Sequence, residues 1–237
     1  MNRENYIIEQ LSKYKLNITN DIIEKLVKFY DLLIEKNKVM NLTAITDFED
    51  VVIKHFCDSV SLCQFIDLDK NLSVADLGTG AGFPGIPLKI CFPKLDITLI
   101  DSLNKRLKFL DEVIEELGLE KIRTVHSRAE DISHDKIYRE SFDICVSRAV
   151  ANLSTLSEYC LPLVKKGGKF ISYKSGDIDE EASGAKKAVT ILGGEISSIE
   201  KFELAEGISR SFVILDKIAV TPKKYPRKAG TPSKEPL

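Results

Sequence analysis

Hydrophobic residues recur at helical spacing near the start of the chain. Apolar positions three and four residues apart predict an amphipathic helix over residues 20–39, with Asn20 or Asp21 as its N-cap. The buried stripe of this helix is expected to hold Ile22, Ile23, Leu26, Phe29, Tyr30 and Leu33.

A second helical pattern follows after Thr46 or Asp47, either of which can act as an N-cap. Its buried face is expected to hold Val51, Val52, Phe56, Val60 and Leu62 or Cys63. No strand-like alternation occurs in this part of the chain. We therefore expect residues 1–66 to form a helical N-terminal extension.

From Asn71 the pattern changes, and apolar runs of strand length alternate with helical patterns. The clearest helix is predicted over residues 103–117, with Leu103, Leu107, Leu110, Ile114 and Leu117 on one face and Gly118 after its end. Strands separated by helices predict a parallel sheet that is covered on both faces. The predicted parallel strands are LSVADL, DITLID, IRTVHS, FDICVS and GKFISYK.

The last two strand-like runs, EISSIEKFEL and SRSFVILDKIAV, are separated by only four residues, 205–208. Four residues cannot form a crossover helix, so this pair is predicted to be antiparallel. Residues 67–220 are thus expected to form an α/β domain, Rossmann-like, with a mostly parallel sheet and an antiparallel last strand. Residues 221–237 are expected to form a basic, proline-containing tail without a core of its own.

Composition and charge narrow the function classes. The net charge of −2 means that a nucleic-acid partner must be met by a local basic patch rather than by bulk charge. The five cysteines form no CxxC pair, so we expect reduced thiols and no metal site. With no signal-peptide pattern and no membrane-spanning apolar run, a cytoplasmic monomer without a membrane partner is expected.

The decapeptide DLGTGAGFPG at 76–85 directly follows the first predicted strand. Glycine-rich turns at the carboxyl ends of parallel strands bind ligands, because their exposed backbone N–H groups donate hydrogen bonds to carboxylate or phosphate. Asp101 ends the next strand, where an acid can accept hydrogen bonds from ribose hydroxyls. Together these features predict a ligand that contains a nucleoside.

Two ligand classes fit this loop. Gly80, Gly82 and Gly85 satisfy the dinucleotide spacing GxGxxG, which by itself is a weak signal. Asp76, Gly78, Gly80 and Gly82 give DxGxGxG, which resembles motif I of the S-adenosylmethionine (SAM)-dependent methyltransferases. The antiparallel final strands favour the second class. An oxidoreductase, and a SAM enzyme that acts on protein or a small molecule, remain the alternatives.

Several longer strings carry a more specific resemblance. They occur in order and closely resemble the bacterial 16S rRNA (guanine-N7) methyltransferase family RsmG, also called GidB. The resemblance implies a class I SAM-dependent fold that transfers a methyl group from SAM to N7 of guanine 527, in 16S rRNA or the small subunit. The strings are NLTAITDFEDVVIKHFCDSVSL, VADLGTGAGFPGIPLKICFP, LIDSLNKRLKFL, HSRAED, VSRAVA and YPRKAGTPSKEPL.

The same resemblance implies a set of SAM-binding residues. Ala129, through its backbone, and Glu130 are expected to contact adenine. Arg148, the catalytic candidate, is expected to bind the methionine carboxylate or to donate to guanine O6; the alternative is a buried arginine paired with a core acid. The full expected set is Gly78, Gly80, Phe83, Asp101, Ala129, Glu130 and Arg148.

The chemistry expected at guanine N7 is simple. The N7 lone pair is already nucleophilic and N7 carries no proton, so in-line displacement needs orientation rather than a general base. In agreement, the chain has neither the Asn/Asp-Pro-Pro-aromatic loop of amine methyltransferases nor the Pro-Cys of cytosine-C5 enzymes.

RNA contacts are expected from Lys174, at the end of the fifth strand, and from Lys223, Lys224, Arg227 and Lys228 in the tail. In an alternative interpretation, the tail folds back onto the domain and orders the cleft.

Polar residues of the string NLTAITDFEDVVIKHFCDSVSL are expected to be structural rather than catalytic. A single helical histidine such as His55 is more often a packing residue than a catalyst. Asn41 and Thr43 are expected to cap a turn, and no role is predicted for Asp58.

Overall fold

The N-terminal extension is helical, as the apolar spacing predicts. In a computed structural model, which describes residues 2–148 and 151–237, α1 spans Arg3–Leu11 and α2 spans Asn20–Met40. Ala149 and Val150 of the VSRAVA string lie outside the described residues. The second predicted helix is a series of short turns: α3 (Phe48–Val51), a π-helical turn (Val52–Cys57), α4 (Asp58–Val60) and a 3-10 turn (Ser61–Gln64).

The caps of these helices agree with expectation in one case only. Asp47 caps α3 by accepting from the backbone N–H groups of Glu49 and Asp50. The cap of α2 is Thr19, not Asn20 or Asp21, because Thr19 is the last residue with extended backbone and its hydroxyl accepts from Ile22 N.

Seven strands form one sheet in the order β3-β2-β1-β4-β5-β7-β6. Strands β1 to β5 pair in parallel, whereas β7 is antiparallel to both β5 and β6. The predicted fold class is therefore confirmed. The strands are β1 (Ser73–Leu77), β2 (Asp96–Asp101), β3 (Ile122–His126), β4 (Phe142–Ser147), β5 (Val164–Ser175), β6 (Gly194–Ala205) and β7 (Ile208–Lys217).

Six further helices accompany the strands. The predicted helix at 103–117 is found as α6, but Leu103 precedes it and is 43% exposed, so its assignment to the buried face is wrong. A 3-10 turn, Leu161–Leu163, precedes β5. The helices are α5 (Gly85–Cys91), α6 (Asn104–Glu116), α7 (Ala129–Ile132), α8 (Leu153–Cys160), α9 (Asp179–Ile191) and α10 (Thr231–Lys234).

The N-terminal helices and the sheet share one hydrophobic core. Phe29 of α2 lies 5.8 Å from Phe56 and 5.4 Å from Phe83, measured between ring centroids. All three rings are buried. Aromatic contacts of this kind fix the π-helical turn against the loop that follows β1, and so bring His55 and Asp58 to the carboxyl edge of the sheet.

The C-terminal segment, residues 221–237, folds back against α7 and α8. Thr221, Tyr225 and Pro232 are buried there. Its few apolar side chains pack on the domain rather than on each other, and its backbone is held by polar side chains of the domain.

Two glycines offer a matched test of this packing. A Cβ on Gly85 would lie 2.3 Å from Leu99 Cδ2 and 2.7 Å from Asp76 Oδ2, whereas a Cβ on Gly184 in α9 would meet nothing within 4 Å. We expect Gly85→Ala to lower the free energy of unfolding by about 1–3 kcal/mol through overpacking. Gly184→Ala is expected to raise it by about 0.5–1 kcal/mol because glycine costs helix entropy. Urea unfolding measures both, and equal effects would contradict this packing.

Candidate active site

The glycine loop after β1 is fixed by backbone contacts with the end of β2. Gly78 N and Thr79 N donate to Ile100 O at 2.8 and 3.1 Å. Gly80 N donates to Asp101 Oδ2 at 3.0 Å. Gly78 and Gly80 have φ of +75° and +62°, values at which side-chain-bearing residues are strained. The loop thus presents bare backbone at the carboxyl edge of the sheet.

Asp76 holds the loop from inside. Its Oδ2 accepts from Thr79 Oγ1 at 2.7 Å and from Gly85 N at 2.9 Å. The carboxyl group is fully buried, and Oδ1 has no hydrogen-bond partner among the described residues. Burial raises the pKa of Asp76 to about 6.

The glycines of the loop have different physical roles. A Cβ on Gly80 would meet only Gly78 O, at 3.9 Å, so this position faces open space. A Cβ on Gly82 would collide with Ile86 Cγ1 at 2.7 Å and with Leu110 Cδ2 at 2.9 Å. Gly82 therefore serves helix packing and does not face the cavity, as the second glycine of a dinucleotide fingerprint would.

A first cavity, about 540 Å³ in volume, opens at the glycine loop. Six of the seven residues predicted to bind SAM line it: Gly78, Gly80, Phe83, Asp101, Ala129 and Arg148. The seventh, Glu130, is not in the lining; its Oε1 accepts from Gly230 N at 2.9 Å. Its carboxylate faces the C-terminal segment because α7 turns it away from the cavity.

Asp101 anchors the loop in addition to lining the cavity. Its Oδ1 accepts from Leu103 N at 2.8 Å, and its Oδ2 accepts from Gly80 N at 3.0 Å. Arg106 Nη1 lies 3.5 Å from Oδ2. Oδ1 has a further lone pair, so Asp101 can still accept from a ligand hydroxyl.

Arg148, just after β4, is held by the N-terminal region. Its Nη1 donates to Asp58 Oδ2 at 3.0 Å and to Lys54 O at 3.2 Å. Its guanidinium carbon lies 5.0 Å from the centroid of the Phe83 ring, within range of a cation–π contact. The alternative of a buried arginine paired with a core acid therefore holds for the acid but not for Arg148 itself, whose side chain is 22% exposed and lines the cavity.

Asp58 binds a second arginine with its other oxygen. Arg210 Nε, from β7, donates to Asp58 Oδ1 at 2.9 Å. The Asp58 carboxylate is 3% exposed and lies between two guanidinium groups. Sequence reasoning assigned a role to neither Asp58 nor Arg210. The only signal for Asp58 was its position in the motif, one turn after His55.

His55 completes this cluster. Its ring stacks on Phe83, with centroids 4.4 Å apart, and its Nδ1 lies 3.2 Å from Arg148 Nη2. Nδ1 also lies 3.1 Å from Lys54 O, and Nε2 lies 3.0 Å from Thr43 Oγ1. Burial, followed by the charge of Arg148, lowers the pKa of His55 to about 3. His55 is thus neutral at neutral pH, consistent with a packing role.

The turn before His55 also agrees with expectation. Asn41 ends α2 in the left-handed region with φ of +49°, and Thr43 Oγ1 accepts from Ile45 N at 3.0 Å. Both residues therefore shape the turn that brings Thr43 to the histidine.

A second cavity, about 610 Å³ in volume, adjoins the first. The two share His55, Arg148 and Ala151 in their linings. Tyr173, Lys174 and Arg210 are among the residues that line only the second. The shared residues thus form a wall between two adjacent sites at the carboxyl edge of the sheet.

Two of the residues predicted to contact RNA are engaged within the protein. Lys174 Nζ donates to Glu181 Oε1 at 2.7 Å and to Ala151 O at 2.6 Å, and its side chain is 11% exposed. Arg227 forms a bidentate pair with Glu158, which is fully buried. Lys223, Lys224 and Lys228 are exposed.

The described residues contain no group of three or more side chains suited to hold a metal ion. Within the same ranges, 2–148 and 151–237, no helix has the length and apolar character needed to cross a bilayer.

The strand order, the antiparallel β7 and the cavity at the glycine loop define a class I SAM-dependent methyltransferase fold. TYW2 of M. jannaschii, solved in complex with AdoMet, superposes with a TM-score of 0.54 at 14% identity, covering 68% of this chain and 77% of that one. A putative sarcosine dimethylglycine methyltransferase from Galdieria sulphuraria gives 0.56 at 11% identity, covering 83% and 98%. At these identities the likeness shows the fold alone.

The family described as rRNA small subunit methyltransferase G matches residues 22–213. Ribosomal RNA small subunit methyltransferase G of Acetivibrio thermocellus is 53% identical over 232 residues, 98% of this chain and 95% of that protein. The protein of the same name from Staphylococcus epidermidis is 51% identical, covering 98% and 97%. The chain therefore belongs to the rRNA small subunit methyltransferase G family, as its motifs predict. It is a methyltransferase, which decides against the oxidoreductase alternative.

The buried carboxyl group of Asp76 generates a testable pH dependence. Its folded-state pKa of about 6 lies above the ordinary value of 3.8, so the folded protein binds this proton more tightly than the unfolded chain. The resulting stabilisation is fully present below the unfolded pKa and is lost as the pH rises through about 6. A shift of this size corresponds to about 3 kcal/mol.

We expect Asp76→Asn to lack this contribution, because an amide does not titrate. The measurement is urea unfolding of both proteins between about pH 4 and pH 7, with the difference between them plotted against pH. His55 has the opposite sign, since its pKa is lowered, but it is common to both proteins and cancels. Parallel pH profiles for the two proteins would show that Asp76 does not titrate in this range.

Proposed function

We propose that this protein transfers the methyl group of SAM to N7 of a guanine in 16S rRNA, giving N7-methylguanine and S-adenosylhomocysteine. The observation that carries the proposal is the pair of cavities that share Arg148, His55 and Ala151 as a common wall, in a chain of this family. The name of its relatives, ribosomal RNA small subunit methyltransferase G, indicates small-subunit rRNA as their substrate. The guanine at position 527 is the target that the sequence motifs imply.

The first cavity fits SAM. Gly78 and Gly80 offer backbone without side chains, Phe83 supplies an apolar wall, and Asp101 supplies a carboxylate for ribose hydroxyls. When bound, SAM supplies an electrophilic methyl group. The residues of this chain need only hold the cofactor and keep the wall beside Arg148 in place.

The second cavity suits the edge of a guanine base. Arg148 and Arg210 present only hydrogen-bond donors, and the N7/O6 edge of guanine presents only acceptors. We assign donation to O6 to one of these guanidinium groups, which leaves the N7 lone pair free to attack.

Asp58 reduces the electrostatic repulsion that the reaction meets at this site. Methylation at N7 leaves a positively charged base, which two nearby guanidinium groups would oppose. Asp58 pairs with both arginines and reduces their net charge from two to one. We therefore infer that Asp58 lets the site donate hydrogen bonds to guanine without strongly repelling the cationic product.

No general base is needed. N7 carries no proton, and His55, the histidine in the shared wall, stays neutral and bonded to Thr43. We infer that catalysis comes from orientation of two ligands across the common wall.

The exposed lysines of the C-terminal segment support RNA binding. We assign phosphate contacts to Lys223, Lys224 and Lys228, because Lys174 and Arg227 are already paired with Glu181 and Glu158. The proposal also places the enzyme in the cytoplasm, since 16S rRNA is found there. It further takes the enzyme to be a monomer.

The decisive experiment maps N7-methylguanine in 16S rRNA from cells with and without this protein. We expect one N7-methylguanine, at position 527, to disappear when the gene is deleted and to return when purified protein and SAM are added to small subunits. Methyl incorporation at another atom or another nucleotide would overturn the proposal, and incorporation into protein alone would favour a different substrate class.

The lysine assignment predicts a salt effect. Changing Lys223 and Lys224 to Ala is expected to reduce the slope of log K against log salt for RNA binding by roughly 0.7 to 0.9 for each lost phosphate contact. The matched control is Lys186→Ala with Lys187→Ala, an exposed adjacent pair on α9. Filter binding over a salt series gives the slope. A wild-type slope in the tail variant, or the same change in the control, would contradict the assignment.

A further inference from the structure

The C-terminal segment is held to the domain at many points by polar groups. Arg139 donates to Thr221 O and to Tyr225 O, both at 2.9 Å. Thr221 N donates to Glu140 Oε1 at 2.8 Å, and His134 Nε2 donates to Pro226 O at 2.8 Å. These bonds fix the path of the first part of the segment and direct residues 227–232 across α7 and α8.

Three contacts made by residues 227–232 fall next to the first cavity. Gly230 N donates to Glu130 Oε1 at 2.9 Å. Thr155 Oγ1 donates to Pro232 O at 2.9 Å, and Arg227 Nη2 donates to Glu158 Oε2 at 2.8 Å. The domain residues held in this way are Glu130, Thr155 and Glu158. Each held residue directly adjoins, in sequence, a residue that lines the cavity: Ala129, Leu156 and Tyr159.

Losing the partners of Glu130 and Glu158 would be costly, because both side chains are buried. Glu158 is fully buried, and Arg227 is bonded to both of its oxygens, so loss of Arg227 would leave a buried carboxylate with its ion-pair partner removed. Glu130 accepts from Gly230 N. Burial, followed by the Glu130 carboxylate, raises the pKa of Tyr159, a cavity-lining residue, to about 12. Ser133 Oγ, just after α7, donates to Tyr159 O at 2.9 Å and ties the two helices together.

We propose that residues 227–232 are a positioning segment for the cofactor: by holding Glu130, Thr155 and Glu158, they set the wall formed by Ala129, Leu156 and Tyr159. This inference rests on the proposed function, which places SAM in the first cavity. It assigns Arg227 and Gly230 to cofactor affinity rather than to RNA phosphates. Because coupling is reciprocal, a bound cofactor must also hold the segment more tightly on the domain.

The first test measures the affinity of S-adenosylhomocysteine by calorimetry. We expect Arg227→Ala to weaken binding by about tenfold or more and Arg227→Lys to restore part of the loss, since lysine keeps the charge but not the bidentate geometry. Thr155→Val keeps the shape of the side chain, removes the bond to Pro232 O, and is expected to weaken binding a few fold. Lys234→Ala, an exposed change in the same segment, is the control and should have no effect.

The second test measures the reciprocal effect, that of the bound ligand on residues 227–232. In the wild type, S-adenosylhomocysteine is expected to slow hydrogen exchange of the Gly230 amide and its neighbours, although these residues do not line the cavity. If the segment is only structural, its amide hydrogens will exchange at the same rate with and without the ligand. In folded Arg227→Ala the protection should be lost.

The outcomes separate this inference from the function on which it rests. If the wild type does not bind S-adenosylhomocysteine, the proposed function fails and the inference fails with it. If the wild type binds, unchanged affinity in folded Arg227→Ala overturns the inference alone. If Arg227→Ala does not fold, unchanged affinity and exchange in Thr155→Val overturn it. A reduced RNA salt slope with normal ligand affinity in Arg227→Ala would return Arg227 to the phosphate contacts.

Discussion

The Asp58 carboxylate, buried between the guanidinium groups of Arg148 and Arg210, connects three distant parts of the chain. Asp58 comes from the N-terminal helices, Arg148 from the end of β4 and Arg210 from the antiparallel strand β7. A buried carboxylate needs partners, so the N-terminal helices can dock in one place only. That docking stacks His55 on Phe83 and closes the wall between the two cavities. The geometry of the site therefore depends on the two ion pairs of Asp58, together with the aromatic contacts of Phe29, Phe56 and Phe83.

Other buried charges fix the path of the C-terminal segment in the same way. Lys217 is fully buried, pairs with Glu140 and contacts Thr221, at the point where the C-terminal segment leaves β7. Arg227 pairs with Glu158 further along. Such pairs add little net stability compared with apolar packing, but each leaves an uncompensated charge if its partner is misplaced. They specify where the segment lies, and the second pair adjoins the cavity-lining residue Tyr159.

Local patterns predicted the elements well and their ends less well. Spacing predicted α2 and the seven strands, because amphipathic periodicity reflects burial that each element experiences along its own length. Leu103 was misplaced and Thr19 was missed as a cap, because both depend on where the chain enters the helix. For the site, six of the seven residues that the resemblance implies for SAM binding line the first cavity, whereas the Glu130 side chain contacts the C-terminal segment.

The sequence by itself determined the fold class, the family and the position of the ligand loop, since these are carried by periodicity, by short motifs and by glycines whose backbone geometry is local. Only the tertiary structure decided which charges meet. Asp58 and Arg210 lie 152 residues apart in the sequence and belong to no common motif. Arg227 and Glu158 lie 69 residues apart. Their partners are chosen by how helices dock on the sheet, a long-range outcome of core packing that no local pattern encodes.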